Sequence, residues 1–320
     1  MRAVRFERFG PPEVLGVGSV PEPHAGPGEV RIAVRTAGVS PVDLALRAGD
    51  SPSRDGLALP HVPGVDAAGV IDEVGPGVTG FAVGDAVFGA VDVARLGGAS
   101  ARFAVLAFWA AKPDAWSWEE AGAAATGVET ATRALDLLGL TGEQDTTLLI
   151  DGASGGVGSI AVQLAAARGA RVLATGRPAS HAFLTSLGAT PVAYGPGLAE
   201  RVHALGIPRI DRVDRVLDVA GKGSLDELVA LTGSADSVVT LADFTGPGRG
   251  VRLSLGRYGG QPDGCHGLAF AAEQAVRGRF RVPVQAVFPA DRAAEAHAAV
   301  ATGPRRGKTV LDLTTLASGA

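Results

Sequence analysis

An apolar run, Leu148-Leu149-Ile150-Asp151, breaks into Gly152-Ala153-Ser154-Gly155-Gly156-Val157-Gly158 and continues as an apolar stretch to Arg168. A buried strand that enters a glycine-rich turn and leaves as a helix constrains this chain more than any other feature. From Ala153 the spacing is A-x-G-x-x-G, with Ala153 in place of the first glycine of the dinucleotide fingerprint. Gly155 permits close backbone approach to a pyrophosphate, and Gly158 lets the helix pack tightly on the strand. The exposed N–H groups and dipole at the helix start attract phosphate charge. A glycine pattern alone could be a structural turn. Its place between a strand and a helix, inside a βαβ unit, is what points to a nucleotide. Ser154, Gly155, Gly156 and Val157 are the candidate phosphate contacts.

The surrounding sequence fits that context. After Thr147–Ile150, strand-like segments at Arg171–Ala174, Pro191–Ala193, Arg215–Asp218 and Ser237–Leu241 alternate with helical ones at Gly156–Arg168, Ala179–Leu187, Leu198–Leu205 and Leu225–Leu231. Such alternation predicts a doubly wound parallel sheet covered on both faces, a Rossmann-type α/β arrangement. The first third has another character and reads as all-β. Short segments at Ala3–Phe6, Glu29–Ala37, Ala67–Val74, Ala86–Ala90 and Ala101–Val105 are separated by Gly/Pro turns such as Gly26-Pro27-Gly28 and Gly75-Pro76-Gly77. Ser117-Trp118-Glu119-Glu120 has capping-box spacing and opens an Ala-rich helical stretch to about Leu138. Leu268–Arg277 and Arg292–Ala301 read as helices, and Thr309–Leu313 as a closing strand that returns to the first domain.

The second strand of the alternating series ends at Thr175-Gly176-Arg177. An NAD site usually places an acid here, ~20 residues past the fingerprint, to hold the ribose 2′-OH. This chain has Arg177 instead, and a guanidinium matches a 2′-phosphate in charge and fork geometry. The residues therefore favour NADP(H) over NAD(H), against the alternative of a solvated arginine in a chain with 26 arginines and 3 lysines. Tyr194, at the end of the next strand, either packs near that phosphate or is an ordinary strand-end tyrosine.

Composition removes several other functions. A hydrophobic fraction of 46% against 19% charged supplies a core and argues against disorder. A net charge of −4 argues against a nucleic-acid partner. No apolar run approaches the ~18 residues of a membrane span, and the N-terminus lacks a signal-peptide core, so a cytoplasmic protein is expected. Cys265 is the single cysteine, which excludes a disulfide framework and any multi-cysteine zinc site.

Two further segments carry a family likeness: Pro60-His61-Val62-Pro63-Gly64-Val65-Asp66-Ala67-Ala68-Gly69, continuing to Val74-Gly75, and Val78-Thr79-Gly80-Phe81-Ala82-Val83-Gly84-Asp85. With Gly152–Gly158 and the C-terminal Arg306-Gly307-Lys308-Thr309-Val310-Leu311, the chain resembles the medium-chain dehydrogenase/reductase superfamily, and within it the zinc-independent quinone oxidoreductases. The resemblance implies a GroES-like β-rich catalytic domain from residues 1–121 and 262–320, with a Rossmann NADP(H)-binding domain at 122–261. Zinc members of the superfamily carry Cys where this chain has Ser40 and His where it has Val65. Catalytic zinc needs three N, S or O ligands, and valine supplies none. The expected chemistry is therefore metal-free hydride transfer from NADPH to a small-molecule quinone or α,β-unsaturated carbonyl.

The resemblance also implies further site residues. Relatives place Asn at the Ser40 position and Tyr at the Ala45 position, so Ser40 keeps one hydrogen-bond donor and Ala45 keeps none. Asp43 fits the family pattern, either as a catalytic group or as a hydrogen-bond acceptor within its loop. Thr126, Thr130, Val219 and Leu241 match cofactor-lining segments, with strand-end or helix packing as the alternative. Trp109, Trp116 and Trp118 read as core between the two domains or as a wall of the substrate cleft. His61 and His297 read as surface or packing histidines. The segment Val91–Ser100 departs from the usual loop and is a candidate for shaping specificity. Relatives commonly dimerise through Rossmann edge strands, which would place an interface at Ser237–Leu241 and Gly250–Gly256. Two alternatives stay open: a specialised ene-reductase or repurposed biosynthetic enzyme of secondary metabolism, and a non-enzymatic NADPH-binding protein.

Overall fold

In the computed structural model, the described residues are 1–92, 97–142, 145–206, 213–303 and 305–316. They divide into two compact units, Met1–Thr126 with Ala275–Ala320, and Gly127–Gln274.

The first unit opens with a hairpin of β1 (Arg2–Arg5) and β2 (Gly16–Ser19). The long strand β3 (Val30–Val39) follows and turns directly into helix α1 (Pro41–Ala48). Next come β4 (Asp66–Val74), β5 (Ala86–Ala90), β6 (Phe103–Leu106), β7 (Phe108–Ala111) and the short helix α2 (Trp118–Gly122).

Helix α1 corrects the all-β expectation. Its signals are local ones: Ser40 at the N-cap, Pro41 at the first helical position, Asp43 in the first turn and Gly49 as a left-handed terminator at φ 81°. At α2 the expected capping box forms. Ser117 Oγ accepts the Glu120 N–H at 3.2 Å, and Glu120 Oε2 accepts the Ser117 N–H at 3.0 Å. The single helix expected to run to Leu138 is broken at Ala123-Ala124, and α3 (Ala125–Leu137) starts afresh.

The second unit continues with β8 (Thr147–Asp151), α4 (Gly156–Ala167), β9 (Arg171–Gly176), α5 (His181–Ser186), β10 (Thr190–Ala193) and α6 (Leu198–Ala204). It then adds β11 (Arg215–Asp218), α7 (Leu225–Thr232), β12 (Val238–Thr240), β13 (Arg252–Leu253) and α8 (Gly267–Val276). Every strand pair is parallel, and the order is β10-β9-β8-β11-β12-β13. Numbered within the unit this is 3-2-1-4-5-6, with the order reversing between β8 and β11, the crevice where ligands bind in such sheets. β8 is buried along its whole length, as a central parallel strand must be. Its Leu149 packs with Leu173, Val216, Val238 and Leu228 in the core of this unit. Ser237–Leu241 lies inside the sheet, flanked by β11 and β13, so only β13 of the two segments expected at an edge is an edge.

The chain returns to the first unit through β14 (Val284–Pro289), α9 (Ala293–Thr302) and β15 (Lys308–Asp312). β15 lies parallel to β14 and antiparallel to β3, completing the strand path β14-β15-β3-β4-β5-β7, with β6 also pairing β3. Val30, Ile32, Ile71, Val87, Leu106 and Leu311 fill the core of this unit. Trp116 stacks edge-on against Phe88 (5.1 Å) and tilted against Phe280 (5.8 Å), while Trp109 meets Phe81 (5.8 Å). These partners all lie in the first unit, where Trp116 is buried and Trp109 packs against the core. His297 is buried in α9, as a packing histidine. The Val91–Ser100 segment includes residues 93–96, which lie outside the described residues. Among the described residues, no helix is long and apolar enough to cross a membrane.

Candidate functional site

The glycine turn at the carboxyl end of β8 separates the jobs of its glycines. Gly152 has φ +80°, and a Cβ there would lie 2.9 Å from the Ala220 nitrogen, so the tight turn is made at Gly152 and not at Ala153, where the fingerprint puts it. Gly158 sits against the turn itself: a Cβ would be 2.4 Å from the Gly152 oxygen and 2.7 Å from Ala153 Cα. Gly155 differs from both. Its φ of −75° suits any residue, and its Cβ would meet only the Gly152 oxygen at 3.6 Å. Nothing in the packing of the described residues requires glycine there, and the room it leaves lies at the start of α4. No side chain caps that start, and the N–H groups of Gly156, Val157 and Gly158 find no acceptor among the described residues. A cradle with open N–H groups at a helix N-terminus fits a pyrophosphate.

Thr175, at the end of β9, braces this turn. Its hydroxyl donates to Asp151 Oδ1 at 2.5 Å and accepts the Gly152 N–H at 3.1 Å. Asp151 Oδ2 takes a second hydrogen bond from Ser224 Oγ at 3.0 Å. The hydroxyl of Thr175 is therefore directed inward. Gly176 is explained by packing, since a Cβ would lie 2.7 Å from Leu184 Cδ1 of α5. The next residue, Arg177, is exposed and its guanidinium has no partner among the described residues. Parallel pairing of Ala193 with Gly176 brings Tyr194, 56% exposed, alongside Arg177 at the same edge of the sheet. Val219 and Leu241 follow the ends of β11 and β12, held there by N–H bonds to the carbonyls of Asp151 (2.9 Å) and Asp218 (2.8 Å). The buried Asp218 carboxyl accepts Ala220 N–H, Gly221 N–H and Thr240 Oγ1, while burial pushes its pKa up. Thr130 does not join this group: its hydroxyl donates to Glu129 Oε2 at 3.1 Å, beside the Glu129–Arg133 ion pair on α3.

The first unit holds a second polar cluster, and strand register explains it. Gly38 of β3 pairs with Asp66 at the start of β4, and Val39 pairs with Thr309 of β15, so Lys308 faces Ser40. Lys308 Nζ donates to Ser40 Oγ at 3.1 Å and to Asp66 Oδ2 at 3.0 Å. Asp66 also accepts the N–H of Thr126 (2.7 Å, to Oδ1) and its hydroxyl (2.6 Å, to Oδ2). The Lys308 and Asp66 side chains are 7% and 0% exposed, a buried ion pair. Asp43 lies below it. Its Oδ2 accepts the Ser40 N–H at 2.8 Å and its Oδ1 the Gly64 N–H at 3.0 Å. Burial pushes the Asp43 carboxyl up to about 7, against the pull of those two N–H groups. Both oxygens are thus engaged in holding the loop that carries Ser40. Val65, buried in the core, offers no donor atom, and among the described residues no three His, Cys, Asp or Glu side chains converge as a metal site.

Lys308 and Asp66 are the functional candidates that sequence reasoning misses. Both lie inside segments used for the family resemblance, but their meeting depends on a register that sequence spacing does not reveal.

Comparison with known proteins agrees with this architecture. Residues 26–130 match the alcohol dehydrogenase GroES-like domain, and residues 187–311 match the zinc-binding dehydrogenase family. The chain is 30% identical to a quinone oxidoreductase of Sus scrofa over 315 residues, 93% of each protein. It is 39% identical to that of Rattus norvegicus over 180 residues, 55% of this chain, and there it spans about half, 52%, of the relative's length. Among solved structures, the quinone oxidoreductase of Coxiella burnetii superposes with a TM-score of 0.83 at 26% identity, covering 98% of this chain and 99% of that one. A mycobacterial protein solved in complex with NADPH gives 0.77 at 26% identity, covering 98% and 100%.

Proposed function

The chain belongs to the medium-chain dehydrogenase/reductase superfamily, and on that premise we propose that it is an NADPH-dependent reductase of quinones or α,β-unsaturated carbonyls. The observation that carries the cofactor choice is Arg177, a guanidinium with no partner among the described residues, at the end of β9 where an NAD site would hold an acid. Gly155 to Val157 would receive the pyrophosphate, with Ser154 beside them. Arg177 would pair the 2′-phosphate, with Tyr194 flanking it. Thr175 acts by holding Gly152, and Gly176 by admitting α5. Val219 and Leu241 line the carboxyl edge of the sheet, and Thr126 and Thr130 belong to the helix that precedes it. When bound, the reduced nicotinamide supplies the hydride.

On the substrate side, Ser40 is the donor for a carbonyl oxygen as negative charge develops there. Asp43 fixes the backbone of the Ser40 loop through its two N–H bonds. The reading is metal-free because Val65 and Ser40 stand where zinc relatives carry ligands, and valine has no donor atom. We take the β-rich segments, 1–121 and 262–320, as the catalytic domain and 122–261 as the cofactor domain. A cytoplasmic homodimer joined at the edge strand β13 completes the proposal.

A second reading, an ene-reductase with a dedicated biosynthetic substrate, is favoured by Ala45, which leaves α1 without the tyrosine of quinone-reducing relatives. NADPH oxidation followed with a panel of simple quinones and enones tests both. Turnover of simple quinones supports the first reading, and turnover confined to enones supports the second. NADPH binding with no turnover of any acceptor would replace both with a binding role.

A further inference from the structure

The buried cluster of the first unit assigns a direction to each of its hydroxyl hydrogens. A lysine ammonium has three donors and no acceptor. The bond between Lys308 Nζ and Ser40 Oγ (3.1 Å) therefore runs from lysine to serine, and Ser40 Oγ is the acceptor. Asp66 shows the opposite case: as a carboxylate it only accepts, so the Thr126 hydroxyl gives its hydrogen to Asp66 Oδ2 (2.6 Å). Of the two hydroxyls in the cluster, Thr126 is left able only to accept. Ser40 is left with a hydrogen for which the described residues hold no acceptor, although Ser40 is only 7% exposed. A nearly buried hydroxyl with its acceptor face filled by a cation and its donor face unfilled is set to meet an oxygen that brings lone pairs and no hydrogen.

We propose that Lys308 is a positioning residue: held by Asp66, it fixes Ser40 as a hydrogen-bond donor to the carbonyl oxygen of the acceptor substrate. This rests on the reductase reading above and deepens it. Lys308 polarises the Ser40 hydroxyl through the Nζ–H···Oγ bond, because a charge-assisted donor pulls electron density from the oxygen and strengthens its own O–H as a donor. Asp66 keeps the ammonium in place and neutralises it, which offsets the desolvation of a buried charge. The device selects acceptors with a carbonyl oxygen at this point.

The test uses the full-length protein in four forms: unsubstituted, S40A, K308M/D66N, and the three substitutions together. K308M alone would leave Asp66 buried without a counter-charge. The double substitution removes both charges, and the new amide at position 66 can still accept the Thr126 N–H. The first readout needs no turnover. Only three lysines exist, Lys112, Lys222 and Lys308, so lysine-specific ¹⁵N labelling resolves the buried Lys308 ammonium by NMR. S40A should shift that resonance, and an unmoved resonance overturns the proposal. The second readout is kcat/KM for NADPH-dependent reduction of an enone or quinone. S40A should cost about 100-fold, the scale of a lost oxyanion donor. In the K308M/D66N background S40A should cost little more than about 2-fold, since contacting groups that act together are not additive. An equal loss in both backgrounds overturns the positioning role while leaving the reductase reading intact. No turnover by the unsubstituted protein overturns the reductase reading itself, and the acceptor role with it.

Discussion

Two alanine substitutions three residues apart should separate folding from cofactor binding. In G158A the new Cβ would sit 2.4 Å from the Gly152 oxygen, where ordinary contact begins at 3.4 Å, so α4 must back away from its turn by about 1 Å. Both neighbours are backbone and cannot rotate aside. Overpacking of this kind costs about 1–3 kcal/mol. For a unit of this size each kcal/mol lowers Tm by about 2–4 °C, so several degrees should be lost. In G155A the Cβ meets nothing nearer than 3.6 Å and φ is −75°, so the folded state accepts it. A compatible Gly-to-Ala change stabilises by about 0.4–1 kcal/mol through the unfolded chain, and Tm should hold or rise. Its methyl group would occupy the room left for the pyrophosphate, so NADPH affinity should fall by at least about tenfold, a loss of ~1.4 kcal/mol. Thermal unfolding of the free protein and a fluorescence titration with NADPH read the two effects apart. A G155A protein with full NADPH affinity would refute the phosphate cradle. A G158A protein with unchanged Tm would refute the packing argument.

Other outcomes follow from the same geometry. R177A should weaken NADPH by about 10-fold or more, the low end for lost charge-assisted hydrogen bonds at an exposed site, and leave NADH binding unchanged in parallel titrations. His297 is buried in α9, and burial with Arg47 nearby pushes its imidazole down to about 4 from 6.5. The unfolded chain therefore binds a proton that the folded one refuses between those values, so the stabilisation is complete above pH 6.5 and falls as pH drops toward 4, by up to ~3 kcal/mol. H297F should flatten that slope in urea unfolding measured across the range. S117A removes the acceptor for the Glu120 N–H and should cost about 1 kcal/mol, with no change in NADPH affinity.

What the sequence reveals and what it hides have physical causes. The β8–turn–α4 unit is legible because its period, glycine spacing and strand-end position all point one way, and a parallel sheet leaves little freedom once strands and helices alternate. Helix α1 carries its signals in Ser40, Pro41, Asp43 and Gly49, but they are lost among neighbouring Gly/Pro turns. β14 escapes a sequence reading as well, because it is half-exposed and shows only weak alternation. Ser40 and Lys308 lie 268 residues apart, and Asp66 and Lys308 lie 242 apart. No local pattern brings them together; the pairing of β15 with β3 does. The scarcity of lysine is one usable signal, since a lysine in an arginine-dominated chain, placed at the first residue of a strand, suggests a role for a compact ammonium. The tight turn falls one residue earlier than the fingerprint puts it, because its first position lands on Ala153, whereas the left-handed turn needs the glycine before it.

On the proposed reading, this superfamily member uses NADPH, recognised by its 2′-phosphate, to reduce a carbonyl-bearing acceptor. The most direct measurement is the ratio of kcat/KM with NADPH to that with NADH for the best acceptor of a quinone and enone panel, at one protein concentration and one ionic strength. A ratio well above about 10 is expected, which R177A should bring close to 1. Equal use of the two cofactors by the unsubstituted protein, or a ratio that R177A leaves in place, would contradict it.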